Sequence, residues 1–416
     1  MKFKKITIEV LASLLAVLYP FFNYYGYSFV TLSFLLALLL FIYAIKKRGC
    51  LAIVQPAAMI CYVLYYCATR FFLDITSLKG IIAPCVIFVF TFLLGGFLNK
   101  EVLLDRFLKF YRIAAFVNII FLLLQEAMYF AIGYRVMGIL TFLPLTHVGG
   151  VDFDAAQYAE AASMVERSSA FFSEPAHFVQ FLLPLLAVEL FFVRSKMAYI
   201  RSCLYVVALF VLASGNALLG MGIIGIFLFF FVLRRLPPLY SIGTVVLTIS
   251  LIVISVSEAM KTEYGEKLVE RVEELDPDQN RITSGFVRIF RGYYIWNEMD
   301  TKEKIVGVNS SVKIDEKIGL SIMAFTFKDG DHYMNAVQSI MIYTGYIGIF
   351  IFIGLLVYLW RGNNWAGRCC LAIYVAISLI ASVYFTYTML LYLLVALLMK
   401  KENSTKRLKA LTLKFA

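Results

Sequence analysis

Arg167-Ser-Ser-Ala-Phe-Phe-Ser-Glu-Pro-Ala-His177 runs straight into Phe178-Val-Gln-Phe-Leu-Leu-Pro-Leu-Leu-Ala-Val-Glu-Leu-Phe-Phe-Val193. The second part is a nearly unbroken apolar run close to the ~20 residues a helix needs to cross a bilayer. The first part crowds an arginine, a glutamate and a histidine into its mouth. Pro175 suits the first turn of a helix, where its missing N–H costs nothing. Ser173 or Glu174 then falls at the cap, at the positive end of the helix dipole. Arg167 lies upstream, within reach of an anion near that same end. Ionisable residues at a membrane boundary are costly, which makes this stretch a functional candidate.

The rest of the chain repeats the apolar half of this pattern. Of 416 residues, 62% are hydrophobic and only 16% charged, which excludes a soluble domain. The apolar runs are continuous rather than alternating, which excludes a β-barrel. The expected fold is all-α, a polytopic membrane helical bundle of about twelve spans. They cover residues 6–22, 28–45, 51–68, 81–98, 110–133, 176–193, 198–214, 216–233, 239–256, 334–360, 367–382 and 384–399. The last two run together, and a single long helix there is the competing reading. The first follows Lys2, Lys4 and Lys5 like a signal peptide but lacks a small-residue cleavage site, and is read as a retained span.

Charge placement orients the bundle. The net charge of +11 concentrates in alternate loops, which fits the positive-inside rule and not nucleic-acid binding. With the N-terminus inside, the inner segments carry Lys46-Lys47-Arg48, Arg106, Arg194, Arg201, Arg234-Arg235, Arg368 and the basic tail from Lys400. Merging the last two spans would put that tail outside, so an even count with both termini cytoplasmic is favoured. The chain is read as one integral domain, residues 1–416. It has a first long outer loop at 134–175 and a second at 257–332, and all three histidines (His147, His177, His332) lie on or beside these loops. The seven cysteines lie in or next to apolar segments and show neither a disulfide framework nor metal-ligand spacing.

The first loop holds a predicted short helix, Asp154 to Glu166. The second holds an amphipathic stretch, Ser257 to Leu275, and an Asp276-Pro277-Asp278 turn. A second helix follows, from Ser284 to Trp296. Its pattern predicts Phe286, Ile289, Phe290, Tyr293 and Trp296 on one side, with Arg288 and Arg291 together on the other, facing out. Three clusters are therefore expected at the outer face: Arg167/Glu174/His177, Arg281/Arg288/Arg291 and His332/Asn335. Arginine grips phosphate oxygens with a planar fork. A glutamate and two histidines nearby offer acid–base chemistry. Plainer readings stand beside these: lipid-headgroup anchors for Arg281 and Arg291, a core histidine for His177, a helix cap for Glu174. Asp152-Phe-Asp154 is a weak metal motif. A hydrolase built on Ser173, Glu174 and His177 lacks the strand–turn–helix elbow. Glu9, Glu126 and Glu189 are the intramembrane acids; Glu126 and Glu189 either line a cavity or pair with neighbours.

Arg167-Ser-Ser-Ala-Phe-Phe-Ser-Glu-Pro-Ala-His-Phe resembles the Arg-x-x-(Gly/Ala/Ser)-x-Phe-x-Glu-Pro-x-x-(Phe/Ala) signature of Wzy-type polysaccharide repeat-unit polymerases, in the superfamily that includes the O-antigen ligases. Weaker elements follow in order. Ser214-Gly-Asn-Ala-Leu-Leu-Gly resembles a turn before a span, and Ser284-Gly-Phe-Val-Arg288 the arginine segment of the second loop. Lys304-Ile-Val-Gly307 resembles a "pl-Gly-x-Gly" element, and Asn335 with Gly345-Tyr-Ile-Gly348 a "His-Asn…Gly-x-x-Gly" element. The chain departs from the pattern at Met334, where the ligase branch has histidine, and at Asn309, where glycine is usual.

The resemblance implies a GT-C-like fold and an enzyme at the outer face of a bacterial plasma membrane. The substrates would be undecaprenyl diphosphate-linked oligosaccharides, joined by transfer of the growing chain to a hydroxyl of the next repeat unit. No metal or other cofactor is implied; a chain-length regulator is an implied partner. Arg167 and Arg288 would hold diphosphate, with Arg281, Arg291 and Asn335 as further binding candidates. Glu174, His177 and His332 compete as the base. The alternatives are a ligase, which differs in its acceptor, and a lipid-linked oligosaccharide flippase, which predicts short outer loops and charged residues deep in the spans. A polyprenyl-phosphate sugar transferase is disfavoured, because the turn after the first span, Asn23-Tyr-Tyr-Gly-Tyr27, has no acid.

Overall fold

The structure, a computed structural model, describes residues 7–27, 30–48, 50–52, 57–73, 84–86, 89–90, 100–136, 138–140, 143–144, 167–212, 214–237, 284–320, 334–400 and 412–414. Helix α1 (Ile8–Phe22) leads through a short antiparallel pair, β1 (Gly26–Tyr27) and β2 (Val30–Thr31), into α2 (Leu32–Arg48). Strand β3 (Cys50–Ala52) pairs with β4 (Thr412–Lys414) near the C-terminus. Then come α3 (Ala57–Leu73), α4 (Lys100–Ile132) and α5 (Pro175–Val188), the last extended by a π-helical turn, Glu189–Val193. Helices α6 (Lys196–Val211) and α7 (Gly215–Leu233) follow. The second long loop contributes α8 (Ser284–Asn297), α9 (Thr301–Val306) and α10 (Ser311–Leu320). The chain closes with α11 (Ala336–Trp360), α12 (Trp365–Ser378) and α13 (Tyr387–Met399).

Among the described residues, four helices are long and apolar enough to cross a membrane: Leu103–Ile132, Pro175–Val193, Gly215–Leu233 and Ala336–Trp360. Five shorter apolar helices accompany them, in α1, α2, α3, α12 and α13. By the length and composition of its helices this is a helical membrane protein. The predicted span at 239–256 lies outside the described residues, and 81–98 is described only at 84–86 and 89–90.

Two predicted boundaries are corrected. The third helix begins at Ala57 rather than residue 51, just past Pro56, because proline removes a donor and clashes inside a helix. The fifth begins at Lys100 rather than residue 110. Hydropathy marks where a helix enters an apolar medium, whereas Lys100, Asp105 and Arg106 are compatible with helix outside it. The last two apolar segments are separate helices, packed against each other and joined by a turn in which Phe385 has φ 50.

Helix α5 is the axis of the bundle. Every side chain from Phe178 to Glu189 is buried. It packs against α4, α6, α7, α12 and α13. Its polar groups are satisfied by neighbours at three depths. Gln180 accepts from Thr388 Oγ1 at 2.7 Å, the Phe181 carbonyl accepts from the Tyr111 hydroxyl, and Glu189 is gripped from two sides. Arg112 Nε lies 2.5 Å from Glu189 Oε1, and Arg201 Nη2 2.7 Å from Oε2. Glu189 is thus a structural ion-pair centre joining α4, α5 and α6. Glu126 pairs with Arg135 at 3.7 Å nearer the surface.

Glu189→Ala strands two arginines and is expected to cost roughly 3 kcal/mol, since removing one partner of a buried pair leaves charge uncompensated. Glu126→Ala should cost about 1 kcal/mol or less. Thermal unfolding of the two variants in detergent checks this; equal losses would contradict the central role of Glu189.

Candidate functional site

The contacts define one end of the bundle. The start of α5 meets the start of α13, where the Tyr387 hydroxyl donates to the His177 carbonyl at 2.8 Å. The start of α11 meets the turn between α12 and α13, where Ala336 N donates to Ala381 O at 3.0 Å. The end of α3 joins them, since the rings of Tyr66 and Tyr384 lie 6.0 Å apart and those of Tyr343 and Tyr384 stack at 6.2 Å. The α12–α13 turn therefore stands between the Arg167–His177 stretch and the elements that carry Arg291 and Asn335.

The segment 167–174 is held residue by residue. Ala170 N donates to Gln125 Oε1 at 2.8 Å and Phe171 N to Asn118 Oδ1 at 3.3 Å, both acceptors being on one face of α4. Ser169 Oγ donates to the Phe172 carbonyl at 2.7 Å. Ala170 takes φ 54, in the left-handed region. This is the small-residue position of the signature, and a bulky or β-branched side chain would be strained there. Phe171 stacks on Phe121 at 4.3 Å, and Phe172 stacks on Phe178 at 5.3 Å while also meeting Phe21 and Phe181. The two phenylalanines fasten the segment to α4 and to the bundle core.

Glu174 is the residue before α5, in extended conformation (φ −139, ψ 149), with Pro175 opening the helix as expected. Its carboxylate makes no capping hydrogen bond and is exposed. Arg167 is also exposed. His177, one turn on, is half-buried; its Nδ1 lies 3.0 Å from Ser173 Oγ, so that ring nitrogen is engaged. Behind Ser173 stands Tyr24, from the turn after α1. Its phenol oxygen accepts from Ser173 N at 3.1 Å and lies 3.3 Å from Ser173 Oγ. Burial pushes the Tyr24 phenol above its ordinary pKa, against the lowering effect of these bonds, so it stays protonated. The result is a carboxylate and an arginine at the surface, backed by a Tyr24–Ser173–His177 chain. Tyr24 escaped notice in the sequence, where the 23–27 turn carries three tyrosines and no charge.

Helix α8 is present where predicted, but its facing is corrected. Arg291 is only 3% exposed and shares the buried side with Ile295 and Trp296, whereas Tyr293 faces out. The cause is tertiary docking on α11. Gln338 Nε2 donates to the Ile289 carbonyl at 2.5 Å, and a Cβ at Gly292 would collide with the Gln338 side chain. Asn335 caps α11 in a capping box with Gln338, its Oδ1 accepting from Gln338 N at 2.9 Å. Arg281, His147 and His332 lie outside the described residues, as do the side chain of Arg288, Asp152, Asp154, the 154–166 helix and the 257–278 stretch.

A further arginine joins this end. Arg70, in the last turn of α3, is buried and donates from Nη1 to the Asn309 carbonyl at 3.3 Å and to Asn309 Oδ1 at 3.4 Å. The Asn309 amide donates in turn to Tyr66 O at 3.0 Å and Thr69 Oγ1 at 3.2 Å. The Asn309 side chain thus ties the loop after α9 to α3. Beside it, Gly307 (φ 94) and Gly345 (φ 59) pack backbone to backbone, with Val308 N donating to Ile342 O at 2.7 Å. A Cβ on Gly345 would meet the backbone of Ile305 and Gly307. Gly345 also breaks α11, so the two glycine motifs are the halves of one joint.

Comparison with known proteins gives no match, either to a protein-family model or to a curated sequence.

Gly345→Ala is expected to destabilise by about 1–3 kcal/mol, because a left-handed φ and a backbone collision act together. Gly354→Ala, on the same helix with open space around it, is the control. Equal melting temperatures for the two variants would contradict the joint.

Proposed function

We propose that this protein is a glycosyltransferase that joins undecaprenyl diphosphate-linked oligosaccharide repeat units at the outer face of a bacterial plasma membrane. The resemblance of the Arg167–Phe178 signature motivates the reading. The observation that carries it is the arrangement of that stretch. Arg167 and Glu174 are exposed at one end of a membrane bundle, on a segment anchored to α4, to Tyr24 and to the aromatic core. On this reading the bundle has twelve spans of a GT-C-like kind, and both termini are cytoplasmic.

The residues supply a balanced reaction. The hydroxyl oxygen of an acceptor repeat unit attacks the anomeric carbon of the donor. The carbon–oxygen bond to diphosphate breaks, and the pair of electrons leaves with the diphosphate. Arg167 opposes the charge growing on that leaving group. Glu174 accepts the hydroxyl proton. Its carboxylate suits this role better than His177, because it is exposed and makes no cap bond, whereas His177 Nδ1 is committed to Ser173. His177 and Ser173 then act as positioning residues. The buried Arg70 assists by holding the loop after α9 on α3.

In cells that make the glycan, Arg167→Ala or Glu174→Ala should lower chain growth by at least about a hundredfold. Single lipid-linked repeats should accumulate while the protein stays in the membrane. Gel analysis of lipid-linked glycans reads this. Full-length ladders from both variants would overturn the assignment, and a single transfer to another acceptor in the wild type would make the enzyme a ligase.

A further inference from the structure

The end of the bundle opposite Arg167 carries its own constellation. Four arginines converge there on aromatic rings: one from the α5–α6 connection, two from just after α7 and one from the first turn of α12. Arg194 and Arg235 both approach Phe231, at 5.5 and 4.4 Å from the ring centre. Arg234 lies 5.0 Å from the Trp365 ring centre and Arg368 5.8 Å from that of Trp360. The rings form one cluster, with Phe231 and Trp365 5.8 Å apart and Phe227 edge-on to both Trp360 and Trp365. Arg194, Arg234 and Arg235 are exposed.

Among the described residues, no acid forms an ion pair with these four arginines. The sequence contains no Asp or Glu between Glu189 and Glu258, or between Asp331 and Glu402. Glu189, the acid nearest in sequence, is fully buried and already held by Arg112 and Arg201. Repulsion among the guanidinium groups is offset in part by ring faces, whose quadrupoles attract cations without neutralising them. The α11–α12 connection is braced beside the cluster. Asn363 Nδ2 donates to Ala396 O at 2.7 Å, and Lys400 Nζ to Tyr358 O at 3.0 Å. The arginines thus project from elements that are held together before any ligand arrives.

We propose that this arginine–aromatic cluster is a binding site for the phosphate headgroup of an anionic glycerophospholipid. Three arguments select a lipid over a free anion. The tryptophans lie at helix ends, the level at which indole rings settle at a membrane surface. Apolar helices α5, α7 and α11 lead directly away from the site, giving acyl chains a path. Arginine forks bind phosphate oxygens bidentately, and surface-level basic clusters between helices are suited to anionic headgroups. The lipid would clamp the ends of α5, α7, α11 and α12 at the face away from the Arg167 site.

Native mass spectrometry of the full-length protein in detergent tests this with phosphatidylglycerol, phosphatidylcholine and inorganic phosphate as separate probes. Phosphatidylglycerol should be retained at least about tenfold better than phosphatidylcholine, and millimolar phosphate should not displace it. The triple variant Arg194→Gln/Arg234→Gln/Arg235→Gln should lose that preference while remaining monodisperse. A second reading uses the wild type alone: brominated phosphatidylglycerol should quench tryptophan fluorescence more than brominated phosphatidylcholine at equal mole fraction. Equal retention and equal quenching by the two lipids would overturn the site. Displacement by phosphate would make it a free-anion site and overturn the lipid assignment.

Discussion

A helix buried on every side inside a membrane bundle must satisfy each of its polar groups within the protein, because no water is available to do so. Helix α5 obeys this constraint, and the rest of the structure is arranged around it. Gln180 is answered by Thr388, the Phe181 carbonyl by Tyr111, and Glu189 by Arg112 and Arg201. These bonds fix the rotation and depth of α5 against α4, α6 and α13. Both ends of the helix are consequently placed with little freedom. One end presents Glu174 and His177, and the other delivers Arg194 to Phe231.

Positioning at the first end does not depend on α5 alone. Arg167 to Ser173 is a connecting segment, and such segments hold a shape only when something over-determines it. Here the left-handed turn at Ala170, the bonds from Gln125 and Asn118, and the stacked phenylalanines do so together. The spacing between Arg167 and Glu174 is therefore a property of a packed structure. That matters for the proposed reaction, in which an arginine opposite a leaving group and a carboxylate near an attacking hydroxyl gain from being held in place. The uncommitted state of the Glu174 side chain fits the same reading, since a glutamate serving only as a cap would bond its own helix.

Much of this was legible in the sequence, and what was not has a common cause. Continuous apolar runs disclosed the helices, and the Pro175 start and the separation of α12 from α13 followed from proline chemistry and charge placement. The outward facing of Arg291 was wrong, because amphipathic periodicity describes one helix in isolation. The docking of α8 through Gly292 and Gln338 turned that arginine inward. Tyr24 and Ser173 are 149 residues apart, and Arg70 and Asn309 239 apart. Nothing in the local pattern of either partner announces such a bond. Gly307 and Gly345 were visible as separate weak motifs, but only their contact gives a physical reason for both. The arginines at the opposite end looked like orientation signals alone until cation–ring geometry brought them together.

The coupling proposed for the Arg167–Glu174 end joins departure of a polyprenyl diphosphate to formation of a glycosidic bond. Its most direct measurement uses the purified protein in vesicles with a single-repeat undecaprenyl diphosphate-linked oligosaccharide. Mass spectrometry would quantify both products. The account predicts that one undecaprenyl diphosphate is freed for each new glycosidic linkage in the lipid-linked dimers and longer oligomers. Unchanged single repeats, or oligosaccharide released to water without dimer, would contradict it.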